Sequence, residues 1–199
     1  MTSDFWNQRY DAKGFFYGTE PNDFVKEMAP RIPSGPILCL AEGEGRNAVY
    51  LASLGHAVTA VDQSAAGLAK ARQLAATRHL SVETKVVDLA EFNITPGAWS
   101  GIVAIFAHLP PELRRTVYRQ VVAGLCPGGL FVLESYTPAQ LAFGTGGPKD
   151  PAMLSTLAGL RDELAGLEFL IGHEIEREVM EGTGHTGRAA VVQVLAKRP

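Results

Sequence analysis

Ile37-Leu38-Cys39-Leu40-Ala41-Glu42-Gly43-Glu44-Gly45-Arg46-Asn47-Ala48 is an apolar run that enters a Gly-x-Gly turn and continues into helix-forming residues. A second apolar run, Ala57-Val58-Thr59-Ala60-Val61, follows and stops on Asp62. Strand, glycine turn, helix, strand and terminal carboxylate predict a nucleotide-binding half-fold. Gly43 and Gly45 are expected to let the backbone approach a ligand where a Cβ would collide. Asp62, with Gln63 beside it, is placed to accept the hydroxyls of a ribose.

Two adenosine-containing cofactors use this geometry. Gly43-x-Gly45-x-x-Ala48 satisfies the dinucleotide fingerprint, and Asp62 lies 19 residues beyond Gly43, close to the spacing of about 20 expected there. A pyrophosphate, however, needs free amides and the positive end of a helix. Glu42 and Glu44 flank Gly43 and put negative charge where the phosphates would sit. S-adenosylmethionine carries an ammonium and a sulfonium and no phosphate, so the electrostatics favour it. Asp88 ends a third run, Ser81–Val87, and offers an acceptor to an adenine amino group, while Leu89 can cover the ring. The plain alternative for Asp88 is a helix N-cap.

The rest of the chain fits a doubly wound α/β sheet. Expected helices cover 48–54, 64–77 and 110–125, and expected strands cover 101–106 and 130–136. After Tyr136 come a Gly-rich loop (144–149), a helix from Asp150 to about Ala165, and two long strands, 167–180 and 188–196, joined by a glycine-rich turn. Five mostly parallel strands followed by an antiparallel hairpin is not how a two-half dinucleotide fold ends. At 199 residues the chain is expected to be one domain, with an N-terminal cap (1–30), a cofactor-binding core (37–136) and a C-terminal hairpin region (137–199).

Composition narrows the partners. Eighteen basic and 21 acidic residues give a net charge of −3 with no basic run, which argues against a nucleic-acid footprint. No leader-like segment or long apolar run is present, so a cytoplasmic protein with no membrane partner is expected. Cys39 and Cys126 have no CxxC spacing and read as small buried apolar residues, with no metal site.

The motifs resemble those of class I S-adenosylmethionine-dependent methyltransferases, and within them the small bacterial tellurite-resistance and thiopurine-type enzymes. Residues 37–48, Val61-Asp62, Val87-Asp88-Leu89, Cys126-Pro127-Gly128-Gly129 and Phe16-Tyr17-Gly18-Thr19-Glu20-Pro21-Asn22 carry the resemblance. The resemblance implies a methyltransferase sheet and a small-molecule methyl acceptor, a soft thiol or a chalcogen oxyanion such as tellurite; no oligomeric state follows. That family usually has an acid where Cys39 stands and a glycine where Ala41 stands; Glu42 is the neighbouring carboxylate able to face the methionine ammonium.

Methyl transfer from a sulfonium is an in-line displacement, so the protein chiefly aligns the nucleophile and excludes water. Phe106 and His108 close the fourth strand, where an open sheet places its ligand crevice. Phe106 is assigned to the cofactor side and His108 to the acceptor, as base or orienting group; the alternative for His108 is a loop histidine bonded to backbone. His185 falls in the expected hairpin turn with Arg188 three residues on, and both would hold an anionic acceptor if that turn folds over the crevice, with Lys149 a weaker candidate of the same kind. A solvated turn histidine is the alternative. The aromatic cluster Phe5, Trp6, Tyr10, Phe15, Phe16 and Tyr17 is either an amphipathic segment sealing the sheet or a lid with ring faces near the sulfonium. Two other functional classes share these motifs: a non-catalytic S-adenosylmethionine sensor, and a nicotinamide-dependent oxidoreductase.

Overall fold

The computed structural model describes residues 2–199. β1 (Pro36–Leu40), β2 (Ala57–Asp62), β3 (Glu83–Val86), β4 (Trp99–Ile105), β5 (Leu125–Tyr136), β6 (Glu168–Glu181) and β7 (His185–Lys197) form one sheet in the order β3-β2-β1-β4-β5-β7-β6. The first five strands pair in parallel, and β7 runs antiparallel between β5 and β6. This is the mixed α/β sheet expected from the order of the runs.

The central strands are mostly apolar because both faces are covered, with Ser100 of β4 and Glu134 and Ser135 of β5 among the buried polar exceptions. Along β1, Ile37 and Cys39 enter one core while Leu38 and Leu40 enter the other, as a two-residue period requires. The first core includes Phe24, Val25 and Met28 of α2 (Asp23–Met28), Leu51 of α3 (Arg46–Ser53), and Leu68 and Leu74 of α4 (Ala65–Thr77). The second includes Val117, Tyr118 and Val121 of α5 (Pro111–Gly124) and Leu160 of α6 (Leu157–Glu163). No helix among the described residues is long and apolar enough to cross a membrane.

The N-terminal residues divide their work. α2 seals the sheet, whereas α1 (Ser3–Tyr10) packs on α4 beside the C-terminal ends of the strands. Asn7 joins them: its Oδ1 accepts from Ser64 Oγ at 2.8 Å and from the Ala66 amide at 3.2 Å, while Ser64 Oγ caps α4 by accepting from Gly67 N–H at 3.0 Å.

Two expectations about the C-terminal region are corrected. The helix expected over 150–165 is a 3-10 turn at Pro151–Met153, an extended step and the short α6. Ser155 N–H donates to Tyr136 O at 2.9 Å, so a tie to the end of β5 replaces the helical bond. The hairpin loop is also shorter than expected: Glu181 pairs directly with His185, leaving only Gly182–Gly184 as the turn. Phe16 O accepts from Thr183 N–H at 2.8 Å, and Arg188 O accepts from Thr145 Oγ1 at 2.6 Å, so contacts from distant segments hold the strands together to their tip. Alternation then places His185 on the inner face and Arg188 on the outer.

Candidate active site

The C-terminal ends of β1, β2 and β4, the residues that follow β3, the N-terminal segment, the 144–149 loop and the hairpin tip enclose a crevice of about 1040 Å³. One half is acidic. Asp62 is buried, its Oδ2 accepting from Gly43 N–H at 2.8 Å and its Oδ1 from Ser64 N–H at 2.7 Å. Burial raises its carboxyl pKa and the two amides oppose that rise. Glu42 Oε1 accepts from Ala48 N–H at 2.7 Å at the start of α3, whose N-cap, Gly45, has no side chain to do so. Burial pushes the Glu42 carboxyl up to about 7, against the pull of the Ala48 amide and Arg46. Asp88 is exposed and bonds the Ala90 amide at 2.9 Å, and buried Leu89 lies next to it. Glu42, Asp62, Gln63, Asp88, Leu89, Phe106 and His108 all line the crevice.

The glycine turn has a packing role. Gly43 and Gly45 have φ of 62° and 87°, and neither lines the crevice. A Cβ on Gly43 would stand 2.6 Å from the Tyr10 hydroxyl, and one on Gly45 would stand 2.7 Å from Ala71 Cα. These glycines make room for the N-terminal helix and for α3–α4 packing. Glu44 likewise turns from the crevice centre to hold that segment, accepting from Phe16 N–H at 2.7 Å and Lys70 Nζ at 3.0 Å.

The other half is aromatic. The Phe106 ring lies 4.6 Å from Tyr136 and 4.5 Å from His185, and His108 stacks on Tyr136 at 5.4 Å. Tyr17 reaches His185 from the N-terminal segment, at 4.5 Å. Among the described residues, His108 Nε2, Tyr136 OH and His185 Nδ1 are closed to solvent and make no hydrogen bond. Burial, then neighbouring His185, lowers the His108 imidazole to about 3, and burial also lowers His185. Both rings are therefore neutral near pH 7.

Arg188 does not reach this site. Its guanidinium faces outward, 64% exposed, and pairs with Glu176 Oε2 at 2.5 Å. His185 is buried in β7 and lines the crevice, and Lys149 lines it from its loop. Sequence reading missed Tyr136, whose position at the end of the fifth strand was the available signal. It also missed Glu181 and Arg46, which meet at 2.5 Å only because the hairpin returns over α3.

Residues 37–129 match the family model described as a methyltransferase domain. The fold of the chain recurs in a solved S-adenosylmethionine-dependent methyltransferase from Methanosarcina mazei, 18% identical over 90% of this chain and 98% of that one, with a TM-score of 0.72. TehB from Haemophilus influenzae shares the fold at 21% identity, over 99% of this chain and 67% of that one, with a TM-score of 0.74. So does a protein described for the conversion of a disulfide bond into a thioacetal group during echinomycin biosynthesis, at 19% identity, 98% and 91% coverage and a TM-score of 0.77. No curated protein matches the sequence. The crevice residues suit S-adenosylmethionine better than a dinucleotide: acids at the ends of β1, β2 and β3 match a ligand bearing an ammonium and a ribose, and Glu42 already fills the helix start a pyrophosphate would need.

Proposed function

We propose that this protein methylates a small, soft nucleophile held in the aromatic half of the crevice. When bound, S-adenosylmethionine supplies an electrophilic methyl group and a neutral leaving group. Glu42 faces its ammonium, Asp62 its ribose, and Asp88 with Leu89 its adenine. The observation that carries the reading is the division of one crevice into an acidic half and an aromatic half bearing unpartnered buried polar atoms.

Between the two acceptor types, the charges support a protonated thiol more than a tellurite-like anion. With Arg188 outside, the cations lining the crevice are Arg9, Arg46 and Lys149. Arg46 is neutralised by Glu181, and Arg9 lies over Phe5, Trp6 and Phe16 at 4.7–5.2 Å while donating to the Tyr17 hydroxyl at 3.0 Å. A neutral thiol enters such a box with little desolvation cost, while an anion would have to reach Lys149 in the 144–149 loop or draw Arg9 from the rings beneath it.

Calorimetry with S-adenosylmethionine, S-adenosylhomocysteine and NADH tests the cofactor, and a methyl-transfer screen over thiols, small phenols, selenite and tellurite tests the acceptor. The expected result is binding of the first two ligands and turnover of a thiol. Binding of NADH alone would sink the reading. Cofactor binding without turnover on any acceptor would instead make the protein a sensor.

A further inference from the structure

His185 and Glu181 form a pair that the acceptor chemistry described above does not yet use. Glu181 Oε2 lies 3.7 Å from His185 Nδ1, just beyond hydrogen-bond length, across the tip of the β6–β7 hairpin. The Glu181 carboxylate is itself fixed: Arg46 Nη2 donates to Oε2 at 2.5 Å and Asn22 Nδ2 to Oε1 at 2.8 Å. Burial pushes this carboxyl up, but His185, Arg46 and Asn22 outweigh it and hold it down at about 2. The imidazole plane is fixed as well, by Tyr17 and Phe106 at 4.5 Å and by Tyr136 edge-on at 88°. Its Cδ2 edge faces crevice-lining Gly146, where an added Cβ would come within 3.1 Å. One edge of the ring therefore meets a carboxylate and the other meets the crevice.

We propose that Glu181 positions His185 as the base of the transfer, Nδ1 keeping its proton toward Glu181 and Nε2 presenting its lone pair to the acceptor. The inference rests on the methyl-transfer reading. A protonated acceptor gives its hydrogen to Nε2 as its lone pair bonds the methyl carbon, and the carbon–sulfur bond breaks onto sulfur to leave a neutral thioether. The proton then leaves Nε2 for water. An imidazolium formed in this apolar box needs a counter-charge, and the carboxylate beside it is Glu181, which it would share with Arg46 at 2.5 Å and Arg177 at 3.4 Å. His108 has no carboxylate beside it; its polar neighbours are Ser135 Oγ, 3.5 Å from Nδ1, and the backbone of Met153. Glu181, Arg46, Arg9, Tyr17, Tyr136 and His108 are the titratable groups facing His185 from the elements around it.

Nitrogen-15 NMR of the imidazoles tests this without any acceptor. In the wild-type protein His185 should be the Nδ1–H tautomer, and Glu181→Gln should lower its titration midpoint while leaving the affinity for S-adenosylmethionine within about twofold. A wild-type His185 protonated on Nε2 would overturn the proposal, whether or not the variant folds. The kinetic arm uses a short alkane thiol and follows S-adenosylhomocysteine release. His185→Gln should lower kcat roughly 10²-fold and remove the acidic limb of the pH profile. Glu181→Gln should lower kcat roughly tenfold with KM little changed, and move that limb to lower pH. Loss of the limb in His108→Gln with its retention in His185→Gln would overturn the assignment. Failure of S-adenosylmethionine to bind the wild-type protein would strike the methyl-transfer reading itself, and calorimetry reports that separately from the tautomer.

Discussion

The two halves of the crevice are built in opposite ways. In the acidic half the carboxylates are already bonded by backbone amides: Asp62 by Gly43 and Ser64, Glu42 by Ala48 and Glu44 by Phe16. In the aromatic half His108, Tyr136 and His185 come from three distant segments and keep polar atoms without partners. A buried polar group left unpaired costs about 1–3 kcal/mol, so the second half stores a demand for hydrogen bonds that the first half has met internally. The first is a preformed cradle, and the second is completed by what enters it.

Asp62→Ala tests the cradle and should have the largest effect. It removes the ribose acceptor and orphans two amides. Affinity for S-adenosylmethionine should fall at least about tenfold and stability by roughly 2–4 kcal/mol, from two charge-assisted bonds. Calorimetry and urea denaturation measure the two losses, and an unchanged affinity would refute the ribose role. The corresponding deletion in the other half, Tyr136→Phe, should leave stability equal or higher because the lost hydroxyl has no partner, while weakening acceptor binding. A large destabilisation there would erase the contrast between the halves.

Gly45→Ala comes next. Its methyl group would drive into Ala71 at a φ of 87°, which alanine resists. A loss of about 2–4 kcal/mol is expected from strain plus overpacking, read as a lower Tm. A fully stable variant would show that α3 and α4 separate easily, so that this glycine has no packing role.

How much of this was legible beforehand follows the same division. The βα order, the Gly43–Gly45 turn and the strand-end acids Asp62 and Asp88 are set by local pattern and period, and the sequence displays them directly. The purpose of the glycines was not legible, because Tyr10 and Ala71 reach them from 33 and 26 residues away in sequence. Nor was the hairpin tip. Thr183 and Thr145 close it through Phe16 and Arg188, which turns an apparently open glycine loop into paired strand. One consequence is that His185, read as a turn residue, and Arg188, three residues on, point to opposite faces.

Glu42 gives a smaller, pH-dependent test of the cradle. Its folded pKa of about 7 lies above the ordinary 4.5. A raised carboxyl pKa means the folded state binds the proton more tightly than the unfolded one. The stability this brings is complete below about pH 4.5 and is lost as pH rises through about 7. Glu42→Gln keeps an oxygen to accept from Ala48 and has no proton to lose, so it should gain on wild type by on the order of 1–2 kcal/mol above pH 7.5 and converge with it near pH 4.5. A gap that widens toward acid would reverse the sign and the argument. An ammonium seated on Glu42 would lower its pKa, so S-adenosylmethionine should release part of a proton near pH 7 from wild type and none from the variant. Calorimetry in two buffers of different ionisation enthalpy reads this.

The smallest effect separates two strained residues that look alike. Ala41 and Phe106 end adjacent strands with φ of 50° and 51°, both in the left-handed region. That conformation costs a non-glycine residue about 1–2 kcal/mol. Ala41 has only a methyl group to offset it, and glycine adds roughly 0.5–1 kcal/mol of backbone entropy to be lost on folding. Ala41→Gly should therefore be neutral to stabilising by up to about 1 kcal/mol, or up to about 2–4 °C in Tm for a chain of this size. Phe106 carries the same strain beneath a ring packed on Tyr136 and His185. Phe106→Gly should lose more in packing than it regains in strain, and should lower both Tm and acceptor affinity. If Ala41→Gly lowers Tm as well, the methyl group of Ala41 packs in a way its strain conceals, and the cradle is less completely preformed than its hydrogen bonds imply.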